Sequence, residues 1–442
     1  MRSAFVFLFC AIGVLAACYT EPPPPPTFYK NVLPIFQSVC QNCHVDGGIA
    51  PFPLVTYDDA KAESDQIASD TKTRIMPPFG ARATDECKPP FGWQHDWSLT
   101  DEAIQIIQDW HAAGDPPGDP NDAPPPNTLP PITELVGATA LQPKSSFTLP
   151  ADSQNDAFEC FLLDPNITAD TYLTGTFVKP GNKTIVHHTL IFEVSASATL
   201  TNGDAIPDQY PCFGSAETTD EQLVALWAPG QQPYVYPDNV AHPLAAGTRF
   251  VMQIHYHPHA NADLTTPDLT TFEYTTTPNK PEYTVGTELL GLPVSKGLTT
   301  QLTGSFPIEP NTTDIVTLDE STAPLTQPVQ LLAVAPHMHL VGVDEKISLI
   351  HGSTSQCLVQ VPRWDFNWQR SYAYDAPIES LPWVSPGDVL ELRCTYDDSM
   401  DNPALSGALL EQGLNAPQPV KIGETTLDEM CLGAFWYVYK TP

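Results

Sequence analysis

Residues 184–194 read Thr-Ile-Val-His-His-Thr-Leu-Ile-Phe-Glu-Val, a run rich in β-branched and aromatic side chains. Runs of the same kind recur between turns rich in Pro, Gly, Asn and Asp, and short strands separated by such turns are typical of β-sandwiches. They cover residues 171–178, 248–255, 329–334, 346–350, 389–396 and 435–439. About 310 residues follow residue 131, which is enough for two domains. We predict β-sandwiches over residues 132–280 and 281–442.

The chain before residue 132 has a different sequence pattern, helical and then Pro-rich. Residues 100–113, TDEAIQIIQDWHAA, predict an amphipathic helix with Thr100 as its N-cap and Gly114 as its end. We therefore predict a small α-helical domain over residues 28–114. Residues 115–131, DPPGDPNDAPPPNTLPP, cannot form a helix or a central strand, because proline lacks an amide donor and fixes φ. We predict a semi-rigid linker there. The expected fold class is mainly β.

The N-terminus predicts export. One positive charge is followed by an apolar run over residues 4–16, which is the pattern of a signal peptide. Leu15-Ala16-Ala17-Cys18 resembles a bacterial lipobox, in which Cys18 is acylated and begins the mature protein. The alternative is an ordinary signal peptide with a chance cysteine. We predict a signal peptide over residues 1–18, a Pro-rich tether over 19–27, and a cell-envelope lipoprotein facing the periplasm or on the outer membrane.

The charge of the chain excludes one class of partner. Lys and Arg number 19 against 52 Asp and Glu in 442 residues, for a formal net charge of −33. Nucleic acid is bound by basic side chains that displace counterions, and anionic membranes attract basic patches. We therefore expect no nucleic acid partner, and membrane contact only through the lipid anchor.

Cys40-Gln41-Asn42-Cys43-His44 has the C-x-x-C-H pattern of covalent c-type haem attachment. The two thiols bond to the vinyl groups of the haem, and the adjacent His44 binds the iron. A redox dithiol or half of a zinc site would use the same cysteines, and both alternatives stay open at this point.

A second haem ligand is expected downstream. Met76, within Arg74-Ile75-Met76-Pro77-Pro78, is the predicted ligand, since a thioether raises the haem potential. His95 and His111 are rivals in the same segment. The segment resembles the small cytochrome c-like domains that are fused to other bacterial enzymes.

Seven of the 12 histidines fall in three short motifs of the predicted sandwiches. These are His187-His188, His255-Tyr256-His257-Pro258-His259 and His337-Met338-His339. In a strand, residues i and i+2 face the same side, so His337 and His339 can bind one metal. The neighbours His187 and His188 need a twisted or bulged backbone to do so, or must bind through different ring nitrogens.

The softness of the ligands indicates the metal. Imidazoles alone fit zinc, copper or nickel, whereas imidazoles with a thioether favour copper that cycles through Cu(I). The candidate thioether is Met430, in Asp428-Glu429-Met430-Cys431. Cys394, on an earlier predicted strand, could pair with Cys431 and hold Met430 in place.

Five motifs in order carry a family resemblance. They are the His-His pair, QIHYH at 253–257, HMHLVG at 337–342, LRCTY at 392–396 and DEMC at 428–431. From about residue 160 to 439 the chain resembles the copper type II, ascorbate-dependent monooxygenases, the group of dopamine β-hydroxylase and peptidylglycine α-hydroxylating monooxygenase.

The resemblance implies two jelly-roll-like β-sandwich copper domains with one copper each, across an open cleft. It assigns His187, His188 and His255 to an electron-transfer copper. It assigns the remaining three ligands, His337, His339 and Met430, to the copper where O₂ and the substrate C–H bond react. His257 and His259 have no ligand role in it. Cys394–Cys431 would match a family disulfide, while the pairing of Cys87, Cys160, Cys212 and Cys357 stays open.

Two features depart from the family. The peptidylglycine enzyme holds its substrate carboxylate with an Arg and a Tyr at places where this chain has Ala335 and Ala434. A peptide C-terminal carboxylate is therefore not the expected substrate, and the dopamine-type branch is closer. The second departure is the predicted cytochrome c domain, because family members take electrons from ascorbate.

The sequence thus predicts an exported copper monooxygenase that hydroxylates a C–H bond of a small organic substrate with O₂. Electrons would come from ascorbate or a periplasmic donor and be relayed through the c-type haem. The alternative is a copper- and haem-binding electron-transfer lipoprotein without hydroxylase activity.

Overall fold

The computed structural model describes residues 24–46, 50–126, 134–151, 153, 156–258, 262–292, 299–304, 306–423 and 425–442. The predicted signal peptide with Cys18, most of the tether, the end of the linker and His259 lie outside the described residues. None of the described helices is long and apolar enough to span a membrane.

The chain is mainly β, with 36% strand and 15% helix, as the sequence predicts. The strands are β1 (Thr139–Leu141), β2 (Ala157–Leu163), β3 (Thr171–Lys179), β4 (Val186–Val194), β5 (Gln209–Pro211), β6 (Gln222–Trp227), β7 (Tyr234–Val235), β8 (Val240–Leu244), β9 (Arg249–Tyr256), β10 (Thr271–Thr277), β11 (Tyr283–Leu292), β12 (Thr299–Thr303), β13 (Thr312–Thr322), β14 (Val329–His337), β15 (Gly342–His351), β16 (Thr354–Val361), β17 (Tyr372–Ala373), β18 (Trp383–Val384), β19 (Val389–Asp398) and β20 (Cys431–Lys440). The α-helices are α1 (Leu33–Ser38), α2 (Tyr57–Ala62), α3 (Ser64–Lys72), α4 (Asp101–Ala112) and α5 (Pro403–Glu411).

The described strands form three sheets. One five-stranded sheet has the order β5-β2-β9-β4-β6, and another has the order β12-β13-β19-β15-β16. A ten-stranded sheet runs through both halves of the chain in the order β1-β10-β3-β8-β11-β20-β14-β17, with β7 beside β3 and β18 beside β14. Buried apolar side chains of all three sheets form one core, an arrangement consistent with two β-sandwiches.

The ten-stranded sheet is continuous because β8 and β11 pair in parallel, Val240 with Tyr283 and Ala241 with Thr284. The strands on one side of this pair belong to the first predicted sandwich, and those on the other side to the second. The two halves are therefore joined by backbone hydrogen bonds as well as by packing.

The helices near the N-terminus have a separate core. Phe28, Phe36, Ile107 and Trp110 are fully buried in it. The predicted helix is confirmed as α4, whose N-cap Thr100 accepts a hydrogen bond from the Ala103 amide. The chain leaves α4 at Gly114, where φ is +82°. This left-handed conformation suits glycine, as the sequence indicates.

Residues 79–97 leave this helical core and pack on the C-terminal half. Phe79 and Trp93 belong to the core of the sheets. The Trp93 ring stacks on Tyr374 with centroids 5.0 Å apart, and the Gln94 amide donates to the Ala373 carbonyl at 2.8 Å. The predicted helical segment of residues 28–114 therefore contributes to two cores.

Three disulfides are present among the described residues. They are Cys87–Cys357, Cys160–Cys212 and Cys394–Cys431. The first links the segment 79–97 to β16, across 270 residues of sequence. The third joins β19 to the start of β20, next to Met430. Three disulfides are consistent with export to an oxidising compartment.

We expect that removing the Cys87–Cys357 link will destabilise the protein. A cross-link restricts the unfolded chain, so the double variant Cys87→Ser/Cys357→Ser should lose about 2–4 kcal/mol of unfolding free energy in a urea titration. The matched comparison is Cys160→Ser/Cys212→Ser, which leaves the segment 79–97 tethered. Only the first variant should expose that segment to limited proteolysis. Equal protease resistance in both variants would contradict the packing role given to the disulfide.

Candidate metal centres

A β-bulge brings His187 and His188 to the same side of β4. Val186 pairs with Tyr256 on β9, whereas His188 pairs with the very next residue back, His255. One extra residue, His187, is therefore inserted into β4, and the alternation of side chains shifts by one. This supplies the distorted backbone that the adjacent histidines require.

Three Nδ1 atoms converge at this bulge. Nδ1 of His188 lies 3.1 Å from Nδ1 of His187 and 3.4 Å from Nδ1 of His255. The three side chains are buried, and their candidate ligand atoms lie within 4.8 Å of one another. Burial is the main cause that lowers the pKa of each ring below its ordinary value. Neutral imidazole is the form that binds a metal, so this cluster fits a three-histidine site.

Asp156 holds the outer side of this cluster. Its Oδ1 lies 3.3 Å from Nε2 of His255 and 2.7 Å from Nδ1 of His257. Although burial opposes the charge, hydrogen bonds from the two histidines keep the pKa of Asp156 below its usual range. Its other oxygen accepts the Thr426 amide at 2.9 Å. His257 therefore contacts the carboxylate that orients His255, while Nδ1 of His255 stays directed at the other two rings.

The second histidine pair lies at the end of β14. Nδ1 of His337 lies 2.8 Å from Oε1 of Gln369, and Nδ1 of His339 lies 3.2 Å from the Asp428 carbonyl. Both acceptors require Nδ1–H, which leaves Nε2 of each ring as the ligand atom. Burial lowers the pKa of His337 to about 4 and that of His339 to about 3. Both rings are neutral near pH 7.

Glu429 brings Met430 to this pair. Its Oε1 accepts the backbone amides of both His339 and Met430, the latter at 2.9 Å. Glu429 is fully buried, and burial raises its pKa to about 8. One carboxyl group thus holds the backbones of two predicted ligands, on the loop before β20 and on the turn after β14. The donor set is two imidazole Nε2 atoms with a nearby methionine, which fits copper.

The two ligand sets face each other at close range. The rings of His188 and His337 have centroids 6.0 Å apart. Phe366 stacks on His187 at 4.2 Å and lies 6.0 Å from the His339 ring. The open cleft that the family resemblance implies does not describe this structure. The continuous ten-stranded sheet and Phe366 leave the two sets in one cluster, in which His337 is the partly exposed ligand.

The C-x-x-C-H segment forms a turn of 3₁₀-helix over Cys40–Asn42. Nδ1 of His44 lies 2.9 Å from the Phe52 carbonyl, so the ring donates there and presents Nε2. Burial and the neighbouring Cys43 raise the pKa of Cys40 to about 12. A redox dithiol needs a lowered thiol pKa, and no third candidate zinc ligand gathers with these cysteines in the described part of the chain.

Met76 lines a pocket with the apolar side chains of Phe79, Leu99 and Ile104. The polar residues Arg74, Arg82 and Ser98 line the same pocket. Of the rival residues, His111 is held between the carboxylates of Asp115 and Asp65 at 3.0 and 3.3 Å. His95 is exposed. The cysteine pair and the orientation of His44 fit a c-type haem, and the pocket of Met76 offers apolar side chains together with two arginines.

Sequence reasoning missed the residues that orient the ligands. Asp156, Phe366 and Gln369 are distant in sequence from the histidines they contact, and no motif marks them. Glu429 lies within the DEMC motif quoted above. A carboxylate next to a candidate methionine ligand was the one sequence feature that could have indicated its role.

The chain is similar in sequence to known proteins. Residues 144–263 match the model of the family described as copper type II ascorbate-dependent monooxygenase, N-terminal domain. DBH-like monooxygenase protein 2 of Mus musculus is 24% identical over 315 residues, covering 66% of this chain and 44% of that protein. Dopamine beta-hydroxylase of Canis lupus familiaris is 24% identical over 278 residues, covering 60% and 39%.

The matches support the copper type II monooxygenase family. The family model covers about a quarter of the chain, and the chain spans less than half the length of these curated relatives. A solved structure titled "Structure of PNGF-II in P21 space group" aligns over 69% of this chain and 65% of its own, with 9% identity and a TM-score of 0.25. A TM-score this low does not indicate a shared fold.

We expect Gln369→Leu to weaken copper binding at the pair of His337 and His339 alone. Loss of the acceptor for Nδ1–H frees the ring to rotate, and such outer contacts change metal affinity by about 10–100-fold. Copper titration against a chelator of known affinity measures both sites. Gln108→Leu removes a side-chain hydrogen bond to the Ala68 carbonyl in the helical core and should leave both affinities unchanged. Equal weakening of the two sites in Gln369→Leu would contradict the assignment.

Proposed function

We propose that this protein is an exported copper-dependent monooxygenase that hydroxylates a C–H bond of a small organic substrate. Two unlike ligand sets facing each other carry the proposal, one of three imidazole Nδ1 atoms and one of two imidazole Nε2 atoms with Met430. A binding protein for a single metal has no use for the second, differently composed set. The family match over residues 144–263 supports the same reaction class.

The reaction uses O₂, two electrons and two protons, and it gives the hydroxylated substrate and water. Copper bound at the two sets would supply one-electron transfer and O₂ activation. In our proposal, His187, His188 and His255 hold the electron-transfer copper, while His337, His339 and Met430 hold the reactive one. Asp156, Gln369 and Glu429 orient these ligands through the contacts described above.

The residues near His337 also limit the substrate. Ala335 pairs with Ala434 across β14 and β20, and both are buried. Neither side chain can bind a carboxylate, so a substrate held by its carboxylate at this place is disfavoured. We propose a small substrate of the kind the dopamine-type branch accepts, with apolar contact to side chains such as Phe366.

We propose that Cys40 and Cys43 attach a c-type haem, with His44 and Met76 as its ligands. The haem would supply electrons to the copper sites, taken from ascorbate or a periplasmic donor. The support is the orientation of His44 by Phe52, the raised thiol pKa of Cys40, and the pocket that Met76 lines with Phe79, Leu99 and Ile104. The proposal includes export, which the three disulfides favour, and acylation at Cys18 as a lipoprotein.

Met430→Ala tests the enzyme. We expect copper to fall from two ions per protein to one, because the thioether that completes the second set is lost. Hydroxylation coupled to O₂ consumption should be abolished, in a screen of small aromatic substrates with ascorbate. Met400→Ala, which changes a partly exposed methionine, is the matched control and should retain both coppers.

Zinc in place of copper, or full turnover in Met430→Ala, would overturn the monooxygenase. Two coppers without turnover on any substrate would favour the electron-transfer lipoprotein instead.

Haem attachment is tested by Cys40→Ser/Cys43→Ser. We expect covalently bound haem, measured by the pyridine haemochrome spectrum after denaturation, to vanish when the protein is expressed with a cytochrome maturation system. The control is Cys160→Ser/Cys212→Ser, which removes two cysteines elsewhere, leaves the segment 79–97 tethered, and should keep its haem. Wild-type protein without covalent haem would rule out this part of the proposal.

A further inference from the structure

Arg370 is a buried cation at the meeting point of three segments. It is 8% exposed, and it lies between a turn of 3₁₀-helix at Phe366–Trp368 and β17. Its guanidinium carbon sits 4.9 Å from the Trp97 ring centroid and 5.5 Å from that of Phe79. Its Nη2 donates a long hydrogen bond of 3.4 Å to the Gly230 carbonyl. Arg370 thus contacts the N-terminal segment and both sandwich segments.

This cation has no anionic partner in the described part of the chain. No carboxylate there forms an ion pair with it, although Asp and Glu far outnumber Lys and Arg in this protein. Burial lowers the pKa of Arg370, and the groups that oppose this effect are Tyr372 and Cys43. A guanidinium has five donors, of which Nη2 bonds the Gly230 carbonyl. The Trp97 and Phe79 rings stabilise the cation in part, and a carboxylate would pair with its charge.

The location indicates which anion would reach it. Phe79, whose ring centroid lies 5.5 Å from the guanidinium carbon, also lines the pocket of Met76. The cation therefore borders the pocket of the proposed methionine ligand, and the Cys43 thiol is among the groups that affect its pKa. A haem brings two carboxylates to such a place, and arginine binds carboxylates in a planar, two-point geometry.

We propose that Arg370 binds a propionate carboxylate of the haem attached at Cys40 and Cys43. This inference rests on the proposed haem, and it adds that a residue of the C-terminal sandwich completes the haem site. Because Gln369 is the next residue and contacts His337, two consecutive residues would touch the haem and a copper ligand. The cytochrome segment would then be bound in a fixed position for electron delivery, and would not swing on its linker.

The test measures the haem midpoint potential of purified holoprotein by spectroelectrochemistry. In Arg370→Gln a propionate charge near the iron is no longer balanced, which favours ferric haem. We expect the potential to fall, and a tenfold change in the ratio of reduced to oxidised haem equals about 59 mV for this one-electron couple. Arg370→Lys keeps the charge and should recover most of the shift. Arg249→Gln, which removes a partly buried arginine bonded to the Ser195 and Ala198 carbonyls, should leave the potential unchanged.

The covalent haem content of each variant keeps the outcomes apart. Wild-type protein without covalent haem would overturn the proposed haem attachment, and with it this inference. Normal haem content with an unchanged potential in Arg370→Gln overturns the propionate contact. A free carboxylate ligand offers the same chemistry, so benzoate is added to the wild-type holoprotein. Stabilisation by benzoate that depends on Arg370, with no effect of Arg370→Gln on the haem potential, would assign the site to a substrate carboxylate and overturn the inference.

Discussion

The parallel pairing of β8 with β11 is the constraint on which the rest of the structure depends. It turns the larger sheets of two sandwiches into one ten-stranded sheet. Since β14 and β20 continue that sheet, the pair of His337 and His339 is carried at a fixed distance from the first sandwich. The bulge at His187 then directs the other imidazoles toward it. Relative motion of the two ligand sets would require breaking this sheet or unpacking Phe366.

The segment from Phe366 to Arg370 contacts side chains that are distant from one another in the sequence. Phe366 stacks on His187 of one ligand set, and Gln369 accepts from His337 of the other. Arg370 reaches Trp97 and Phe79 of the N-terminal segment. This five-residue segment thus contacts both ligand sets and the N-terminal segment. Their covalent connection makes the spacing between these groups a property of one short loop.

Local patterns in the sequence predicted what depends on local structure. The alternation of apolar residues gives the strands, and Thr100 and Gly114 give the ends of α4. Side-chain alternation also indicated that adjacent His187 and His188 need a twisted or bulged backbone or different ring nitrogens, and the structure has the bulge. Spacing identified the histidines and Met430 as candidates, because those residue types in those motifs have few other uses.

Contacts between distant residues could not be predicted in this way. The segment 79–97 pairs with strands that lie some 280 residues later, so its departure from the helical core has no local signal. Asp156 and Gln369 are single polar residues in ordinary surroundings, and only the fold gives them an imidazole to orient. The expected open cleft was wrong because sequence contains no measure of how two sandwiches are set against each other.

The short distance between the two ligand sets is the most distinctive feature of the proposed copper sites. Electron paramagnetic resonance of the oxidised protein, loaded with Cu(II), measures it through the magnetic interaction of the two ions. With the rings of His188 and His337 at 6.0 Å, we predict a strongly dipole-broadened spectrum with a half-field transition. Two sharp, independent Cu(II) signals would show that the ligand sets lie far apart, and would contradict the arrangement described.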